Sequence, residues 1–288
     1  MTAQPSISVI ITAYRRAGVV AEAIASALAQ DHPVLEVIVV DDASGDDTAD
    51  AIRRVEDARV RLVSLLENLG PAGAMNAGIA AARGELVALL DSDDLWLPHK
   101  LSCQVAAWRA HPDRARLLVA SRLFEEQDGR VVATRPEAVI TAGEDVADYL
   151  FVRDGMLQTS TMLLPRALAT RVGFDAATRR HTDPGFVLRL ARDGACFLQL
   201  EEPLVRWRSV GGVARVSRTR SLDESRAWLD RYGTWMSPRA RVAFRYRNHI
   251  RLLRRSAPWA AAGLTLRAAL AGMLGRRELA RAWRKVRG

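Results

Sequence analysis

Cysteine is scarce in this sequence of 288 residues, which contains Cys103 and Cys196 and no second cysteine two or three positions from either. This spacing excludes a cysteine-based zinc site and argues against a disulfide framework. The N-terminal residues lack a basic run followed by a long apolar stretch, so we expect no secretory signal and a cytoplasmic protein. Apolar residues make up 49% of the chain, which is too many for a disordered protein.

Lysine is almost absent, and arginine carries most of the positive charge behind the net charge of +9. Residues 239–288 contain 14 basic residues and one acid, Glu278, which leaves a net charge of −4 for residues 1–238. The chain therefore combines a mildly acidic body with a basic C-terminal segment. Clustered arginine suits the phosphates of nucleic acid and of anionic lipid, and we favour a membrane surface because the segment lacks a recognised nucleic-acid motif.

The first 120 residues alternate between two hydrophobic patterns. Short, nearly continuous apolar runs rich in β-branched residues predict strands buried on both faces, and Ala-rich stretches between them predict helices. This alternation predicts an α/β fold with a mostly parallel, Rossmann-like sheet flanked by helices. The predicted strands are 6–11, 35–40, 60–66, 85–90 and 116–120, and the predicted helices are 17–30, 46–56, 71–82 and 98–110.

Beyond residue 120 the pattern is mixed, which suggests an open sheet whose second half binds something else. Asp128-Gly129 is a favoured turn pair and predicts a hairpin. The predicted elements here are a hairpin over 124–132, helices over 144–154 and 184–193, and strands over 159–164 and 196–200.

Strand signals end after residue 218. The apolar stripe in 237–255 predicts an amphipathic helix. Residues 257–275 are apolar but include Arg267. A bilayer span needs about 20 mostly apolar residues, and a central arginine costs roughly 2.5–3.5 kcal/mol. We therefore favour a helix that lies on a membrane or packs on the body over one that crosses the membrane.

Two of the predicted strands run into acidic residues, in Asp41-Asp42 and in Asp91-Ser92-Asp93-Asp94. In open α/β sheets ligands bind beyond the carboxyl ends of the strands, so these acids are expected at a ligand site. A divalent cation with oxygen ligands, completed by a diphosphate, would neutralise them. The alternative is that some of them cap helices. We favour capping for Asp46 and Asp94, and metal binding for Asp91 and Asp93.

A glycine-rich phosphate loop is missing after the first strand, where Tyr14-Arg15-Arg16 follows and the next glycine is Gly18. The later glycines do not have the spacing of a dinucleotide-binding fingerprint or of a P-loop. This argues against a dehydrogenase or a P-loop enzyme. We expect a metal to hold the phosphates.

The ordered segments resemble the family 2 glycosyltransferases, which have the nucleotide-diphospho-sugar transferase fold of GT-A type. The matching segments are SVIITAY at 8–14, VIVVDDASGDDT at 37–48, ENLG at 67–70 with MNAG at 75–78, and ARGELVALLDSDDLWLPHKL at 82–101. The resemblance covers roughly 6–110 and resumes at 156–210. It implies a catalytic domain over 1–218, with a nucleotide-binding half at about 1–98 and an acceptor half at about 99–218, followed by the basic helical region 219–288.

The resemblance also implies site residues. The nucleotide-sugar would be bound by Thr12, Tyr14, Asp42, Asn76, Asp91, Ser92 and Asp93. Thr12 and Tyr14 would line the nucleoside pocket, Asp42 would accept a hydrogen bond from the base, and Asp41 would brace the loop. Asp91 and Asp93 would be the Asp-x-Asp motif that holds Mg²⁺ or Mn²⁺ against the diphosphate, with Asp93 in direct contact.

The same resemblance makes Asp183 the candidate for the base that deprotonates the acceptor hydroxyl. Direct displacement would then invert the anomeric centre, while the metal stabilises the leaving diphosphate. An aspartate before Pro184 is also a good helix N-cap, so a capping role stays open. Gln158-Thr159-Ser160-Thr161 matches a segment that often borders the acceptor, and a plain edge strand is its alternative reading.

Several positions depart from the family pattern. They are Arg15 where Asn is common, Met75 where Arg often precedes Asn76, Pro184 in place of an aromatic residue, and Val210 where relatives have a metal-binding His. The leading hypothesis is an inverting, metal-dependent glycosyltransferase with a glycan or lipid-linked acceptor in cell-envelope polysaccharide biosynthesis, peripheral on the inner face of the membrane. The alternatives are a weak or inactive transferase-fold protein and a membrane- or nucleic-acid-binding protein that acts through its basic tail.

Overall fold

The computed structural model describes residues 4–209 and 221–272. The strands are β1 Ile7–Ala13, β2 Glu36–Asp41, β3 Val60–Ser64, β4 Leu86–Asp91, β5 Leu95–Trp96, β6 Leu117–Gln127, β7 Arg130–Arg135, β8 Leu163–Pro165 and β9 Cys196–Ser209. The helices are α1 Val20–Leu28, α2 Thr48–Arg53, α3 Gly70–Ala81, α4 Lys100–Ala110, α5 Arg166–Val172, α6 Thr182–Arg192, α7 Leu222–Tyr232, α8 Pro238–Ser256 and α9 Pro258–Leu270. One mixed sheet has the order β3-β2-β1-β4-β8-β6-β9-β5, and β7 pairs with β6.

The predicted parallel half is confirmed. β1 pairs in parallel with β2 and with β4, and β2 pairs in parallel with β3. The register sets Ala13 beside Asp41 and Thr12 beside Asp91, so the acidic strand ends share one edge of the sheet. The strand order reverses at β1, and the crevice outside such a reversal is where ligands bind in α/β sheets.

The second half of the sheet is mixed, as expected. The hairpin of β6 and β7 is confirmed, and Asp128 (φ 49°) and Gly129 (φ 75°) have the positive φ values that a tight hairpin turn requires. The predicted strand 196–200 continues to Ser209, because the distal half of β9 is charged and only partly buried and so shows no apolar run. Residues 159–161 form a 3₁₀ turn instead of the predicted strand, since the Gln158 side chain accepts a hydrogen bond from Ser160 N at 2.8 Å.

Alternate residues of the central strands fill two apolar clusters, one on each face of the sheet. Val9 and Ile11 pack with residues of α1 and α4, whereas Ile10 belongs to the cluster formed with α3, α5 and α6. Because helices cover both faces of the sheet, residues that point to either face are apolar. The apolar runs in the sequence are therefore continuous.

The helices after residue 220 join the same structure. Trp228 and Tyr232 of α7 and Phe244 of α8 are buried in one cluster with Phe186 of α6. α9 packs along α8, and Leu264 is buried against Leu253. Within the two described ranges, no helix combines the length and the apolar character needed to span a bilayer.

Candidate active site

A cavity of about 920 Å³ opens at the carboxyl edge of β1, β2 and β4. The residues of the sequence prediction that line it are Thr12, Tyr14, Asp42, Asp91, Ser92, Asp93 and Asp183. The cavity therefore brings three strand ends together with the first turn of α6. A concave site of this size is typical of a small-molecule pocket.

The end of β1 contributes an exposed aromatic ring to the cavity. The Tyr14 side chain is 41% exposed, and the Arg15 guanidinium lies 5.3 Å from the centre of its ring. Arg15 adopts a left-handed conformation (φ 55°), and its backbone N donates to Ser44 Oγ at 3.0 Å. The turn after β1 is thus fixed to the turn after β2, and an aromatic face is available for a planar ligand.

Asp42 combines a structural contact with a place in the cavity wall. Its Oδ1 accepts from Leu69 N at 2.7 Å and its Oδ2 accepts from Gly70 N at 2.9 Å, at the start of α3. Burial raises the pKa of Asp42, although these two amides and the nearby Arg179 charge act in the opposite direction. Asp41 accepts a hydrogen bond from the Ser44 hydroxyl, which holds the loop between them.

The acidic segment after β4 supplies two carboxylates to the cavity. Asp91 accepts from Gln158 Nε2 at 2.8 Å, and Asp93 is 8% exposed. In residues 4–209 and 221–272, no three His, Cys, Asp or Glu side chains form a group that could hold a metal ion. Mg²⁺ is commonly held by one or two carboxylates with substrate phosphates completing its shell, so this pair fits a metal that binds together with a diphosphate. Val210 lies outside the described residues.

Asp94 does not cap a helix, contrary to the expectation from sequence. It is fully buried, and its Oδ2 accepts from Ser160 Oγ at 2.7 Å and from Gln158 Nε2 at 3.0 Å. Its Oδ1 accepts from Arg208 N at 3.2 Å. These contacts connect the acidic segment to the 3₁₀ turn and to β9. Asp46 does not occupy the N-cap position either, because the N-cap of α2 is Asp47; Asp46 lies one residue before it and accepts from Thr48 N at 3.0 Å.

Asp183 lies in the first turn of α6 and faces the segment predicted to border the acceptor. Thr159 donates from Oγ1 to Asp183 Oδ1 at 2.6 Å and from its backbone N to Oδ2 at 3.2 Å. The N-cap position of α6 is His181, so Asp183 does not have the capping role that was left open. Burial raises the pKa of Asp183, and the hydrogen bonds from Thr159 oppose this shift. A carboxylate with a raised pKa is suited to accept a proton.

Asn76 is the predicted site residue that lies outside the cavity wall. Its Nδ2 donates to Phe174 O at 2.9 Å, and its Oδ1 accepts from Phe174 N at 2.8 Å. Both ends of the amide are thus used to tie α3 to the loop that precedes α6. In this structure Asn76 braces the two halves of the site.

Part of the cavity wall comes from regions that the sequence does not predict to belong to the site. They are the loop before α6 and the helices α7 and α8, which contribute Arg179, Arg180, Glu224, Ser225, Arg247 and Asn248. The sequence does contain a signal for this packing, because aromatic residues cluster within 228–246. Such a cluster is more typical of a buried helix pair than of a solvated basic tail.

The chain is similar in sequence to known glycosyltransferases. The family described as Glycosyl transferase family 2 matches residues 8–163. The chain belongs to glycosyltransferase family 2. Among its relatives are the succinoglycan biosynthesis protein ExoO of Rhizobium meliloti, which is 33% identical over 79% of this chain and 69% of its own length, and the amylovoran biosynthesis glycosyltransferase AmsB of Erwinia amylovora, which is 31% identical over 78% of this chain and 77% of its own length.

A solved structure of another protein has a similar fold. The structure of S. aureus TarS residues 1–349 with UDP-GlcNAc superimposes with a TM-score of 0.63 over 85% of this chain and 67% of that one, at 21% identity. At this identity the likeness establishes the fold alone, a mixed sheet of GT-A type.

Proposed function

We propose that this family 2 glycosyltransferase is an inverting, metal-dependent enzyme that transfers a sugar from a nucleotide-diphosphate donor to a hydroxyl of a glycan or lipid-linked acceptor. The single observation behind the proposal is the cavity in which Asp91 and Asp93 face the same space as the partly buried carboxyl of Asp183. The relatives named for succinoglycan and amylovoran biosynthesis support a role in cell-envelope polysaccharide biosynthesis.

Residues in different parts of the cavity have different proposed roles. Thr12, Tyr14 and Asp42 line the cavity and would bind the nucleoside, with the Tyr14 ring stacking on the base and Asp42 accepting a hydrogen bond from it. Asp91 and Asp93 would hold Mg²⁺ or Mn²⁺ beside Ser92. When bound, the metal would neutralise charge on the diphosphate and so favour its departure.

Asp183 would act on the acceptor side. It takes the proton of the acceptor hydroxyl as the oxygen forms a bond to the anomeric carbon. The bond from that carbon to the diphosphate oxygen breaks, and its electron pair leaves with the nucleoside diphosphate. Attack from the face opposite the leaving group inverts the anomeric centre. Thr159 fixes the carboxylate through two hydrogen bonds, which removes most of its freedom to rotate.

A thermal-shift screen of UDP-, GDP- and dTDP-sugars with Mn²⁺ tests donor binding. We expect one nucleotide series to raise the melting temperature, because a ligand at 100 times its Kd stabilises the folded state by about 2.7 kcal/mol. UDP-sugars are the first choice, since the TarS structure contains UDP-GlcNAc. A flat response to every series, with and without Mn²⁺, would refute the proposal.

We further propose that the enzyme works at the inner face of the cell membrane, through residues 239–288. The span Pro238–Leu270 contains eight arginines and no acid. Trp259, Leu266 and Leu270 of α9 are exposed by 89%, 59% and 80%, and their spacing places them on one side of the helix. An apolar stripe next to basic residues is typical of a helix that lies in an anionic lipid interface.

Vesicle sedimentation tests this membrane proposal. The double substitution Trp259→Ala with Leu266→Ser should weaken binding to phosphatidylglycerol vesicles at least about tenfold, because each side chain contributes roughly 1.5–3 kcal/mol when buried. Leu66→Ser, at a fully exposed leucine in the loop between β3 and α3, is the matched control and should bind as wild type. Equal binding by all three proteins would contradict the proposal, and binding to DNA but not to vesicles would favour a nucleic-acid partner.

A further inference from the structure

His181 occupies a conformation that few non-glycine residues adopt. Its φ of 54° and ψ of 36° are left-handed, and it is the N-cap of α6, two residues before Asp183. Such a conformation is unfavourable for a residue with a Cβ atom, so it persists where surrounding contacts enforce it.

The contacts that enforce it come from α7 and α8. The backbone O of His181 accepts from Trp228 Nε1 at 3.1 Å, and its ring Nε2 lies 2.9 Å from Ser225 Oγ. The ring also packs edge-on against Trp228 at 5.6 Å and against Phe244 at 5.1 Å between ring centres. Burial lowers the pKa of His181 to about 4, so the imidazole is neutral at physiological pH.

The first turn of α6 fits closely against α7. A Cβ atom added at Gly185 would lie 3.3 Å from Trp228 Nε1 and 3.4 Å from the Tyr232 hydroxyl. Gly185 N also donates to His181 O at 3.0 Å, so the same carbonyl receives the first hydrogen bond of α6 and the bond from Trp228. The direction in which α6 begins is therefore set by α7.

We infer that His181 is a positioning residue: α7 and α8 hold it in the left-handed conformation that directs Asp183 toward Thr159 and the cavity. The inference rests on the proposed role of Asp183 as the base. It gives the C-terminal helices a function in the reaction, because Ser225, Trp228 and Phe244 act on the acceptor side of the site through His181 without contacting the reacting atoms.

Two variants test this inference in the full chain. Trp228→Phe keeps an aromatic ring and removes the N–H that bonds to His181 O. His181→Asn keeps a residue type that tolerates the left-handed region and removes the ring contacts. Leu168→Ala is the control, because Leu168 is fully buried in the same apolar cluster but lies on α5. It reports the effect of lost stability alone.

The readout is the pKa of Asp183, measured by ¹³C-carboxylate NMR with its signal identified by its absence in Asp183→Asn. We expect the raised pKa to fall toward the ordinary value of about 3.9 in both variants, as the carboxyl moves into solvent. With the UDP-sugar that the screen selects, release of UDP should slow about 10- to 100-fold while donor KM stays near wild type.

The control should keep the pKa of Asp183 as in wild type. An unchanged pKa in Trp228→Phe and in His181→Asn would overturn the inference, and if His181→Asn does not fold, Trp228→Phe decides alone. Failure of the proposed function is distinguishable, because a shifted pKa in a protein that binds no sugar nucleotide would support the positioning role and refute the transferase proposal.

Discussion

Replacing Asp183 by Asn is expected to slow sugar transfer by about 10²–10⁴, the usual contribution of a general base. The amide oxygen can accept from Thr159 N and the amide NH₂ can donate to the Thr159 hydroxyl oxygen, so the fold and donor binding should be close to wild type. Release of nucleoside diphosphate under saturating donor measures the rate. Asp193→Asn, at the far end of α6 in an exposed ion pair with Arg171, is the matched control and should leave the rate unchanged.

The pH dependence gives a second test of the same residue. The carboxylate of Asp183 is the active form, so the rate should fall as the pH decreases through its pKa. Because burial raises that pKa, the fall should begin above the pH expected for an ordinary aspartate, about 3.9. A rate in Asp183→Asn within about twofold of wild type, or one with the same acidic fall, would exclude Asp183 as the base.

Replacing Asp93 by Asn is expected to abolish the metal-dependent part of donor binding. Asp93 would bind the metal and the metal would hold the diphosphate, so loss of one carboxylate from a pair would remove much of the charge that holds the cation. Calorimetry with UDP and Mn²⁺ should show at least about a tenfold weaker affinity, and EDTA should reduce wild type to the same level.

Asp47→Asn is the control for this prediction, since Asp47 is exposed at the start of α2 and outside the cavity wall. Unchanged UDP affinity in Asp93→Asn, together with no effect of EDTA on wild type, would show that the diphosphate is held without a metal. In that case the arginines of the wall, such as Arg179, would be the groups to examine next.

The nucleotide-binding half could be predicted from sequence because its signals are local. Strands β1, β2 and β4 are buried on both faces, so each is a continuous apolar run in the sequence. Acidic residues occur at the ends of β2 and β4. The parallel arrangement then places Asp42, Asp91 and Asp93 at one edge without further information.

The acceptor side could not be predicted to the same depth, because its contacts join residues far apart in the chain. Thr159 meets Asp183, and Trp228 meets His181, through pairings that no periodicity encodes. The sequence favours a capping role for Asp94 because aspartate caps helices readily, but Asp94 instead accepts hydrogen bonds from three donors of the 3₁₀ turn and β9. Asn76 was assigned to the donor site from the family pattern, whereas its contacts are with the backbone of Phe174.

The most direct test of the account is the anomeric configuration of the sugar released from UDP-α-D-glucose, or from the donor that the screen selects, with water as the acceptor. Proton NMR of the fresh product, before the anomers equilibrate, should show the β-sugar and UDP in the presence of Mn²⁺. Neither should form with EDTA, and both should form about 10²–10⁴ times more slowly with Asp183→Asn. An α-sugar as the first product, or the same rate of release without metal, would contradict an inverting, metal-dependent transfer at this cavity.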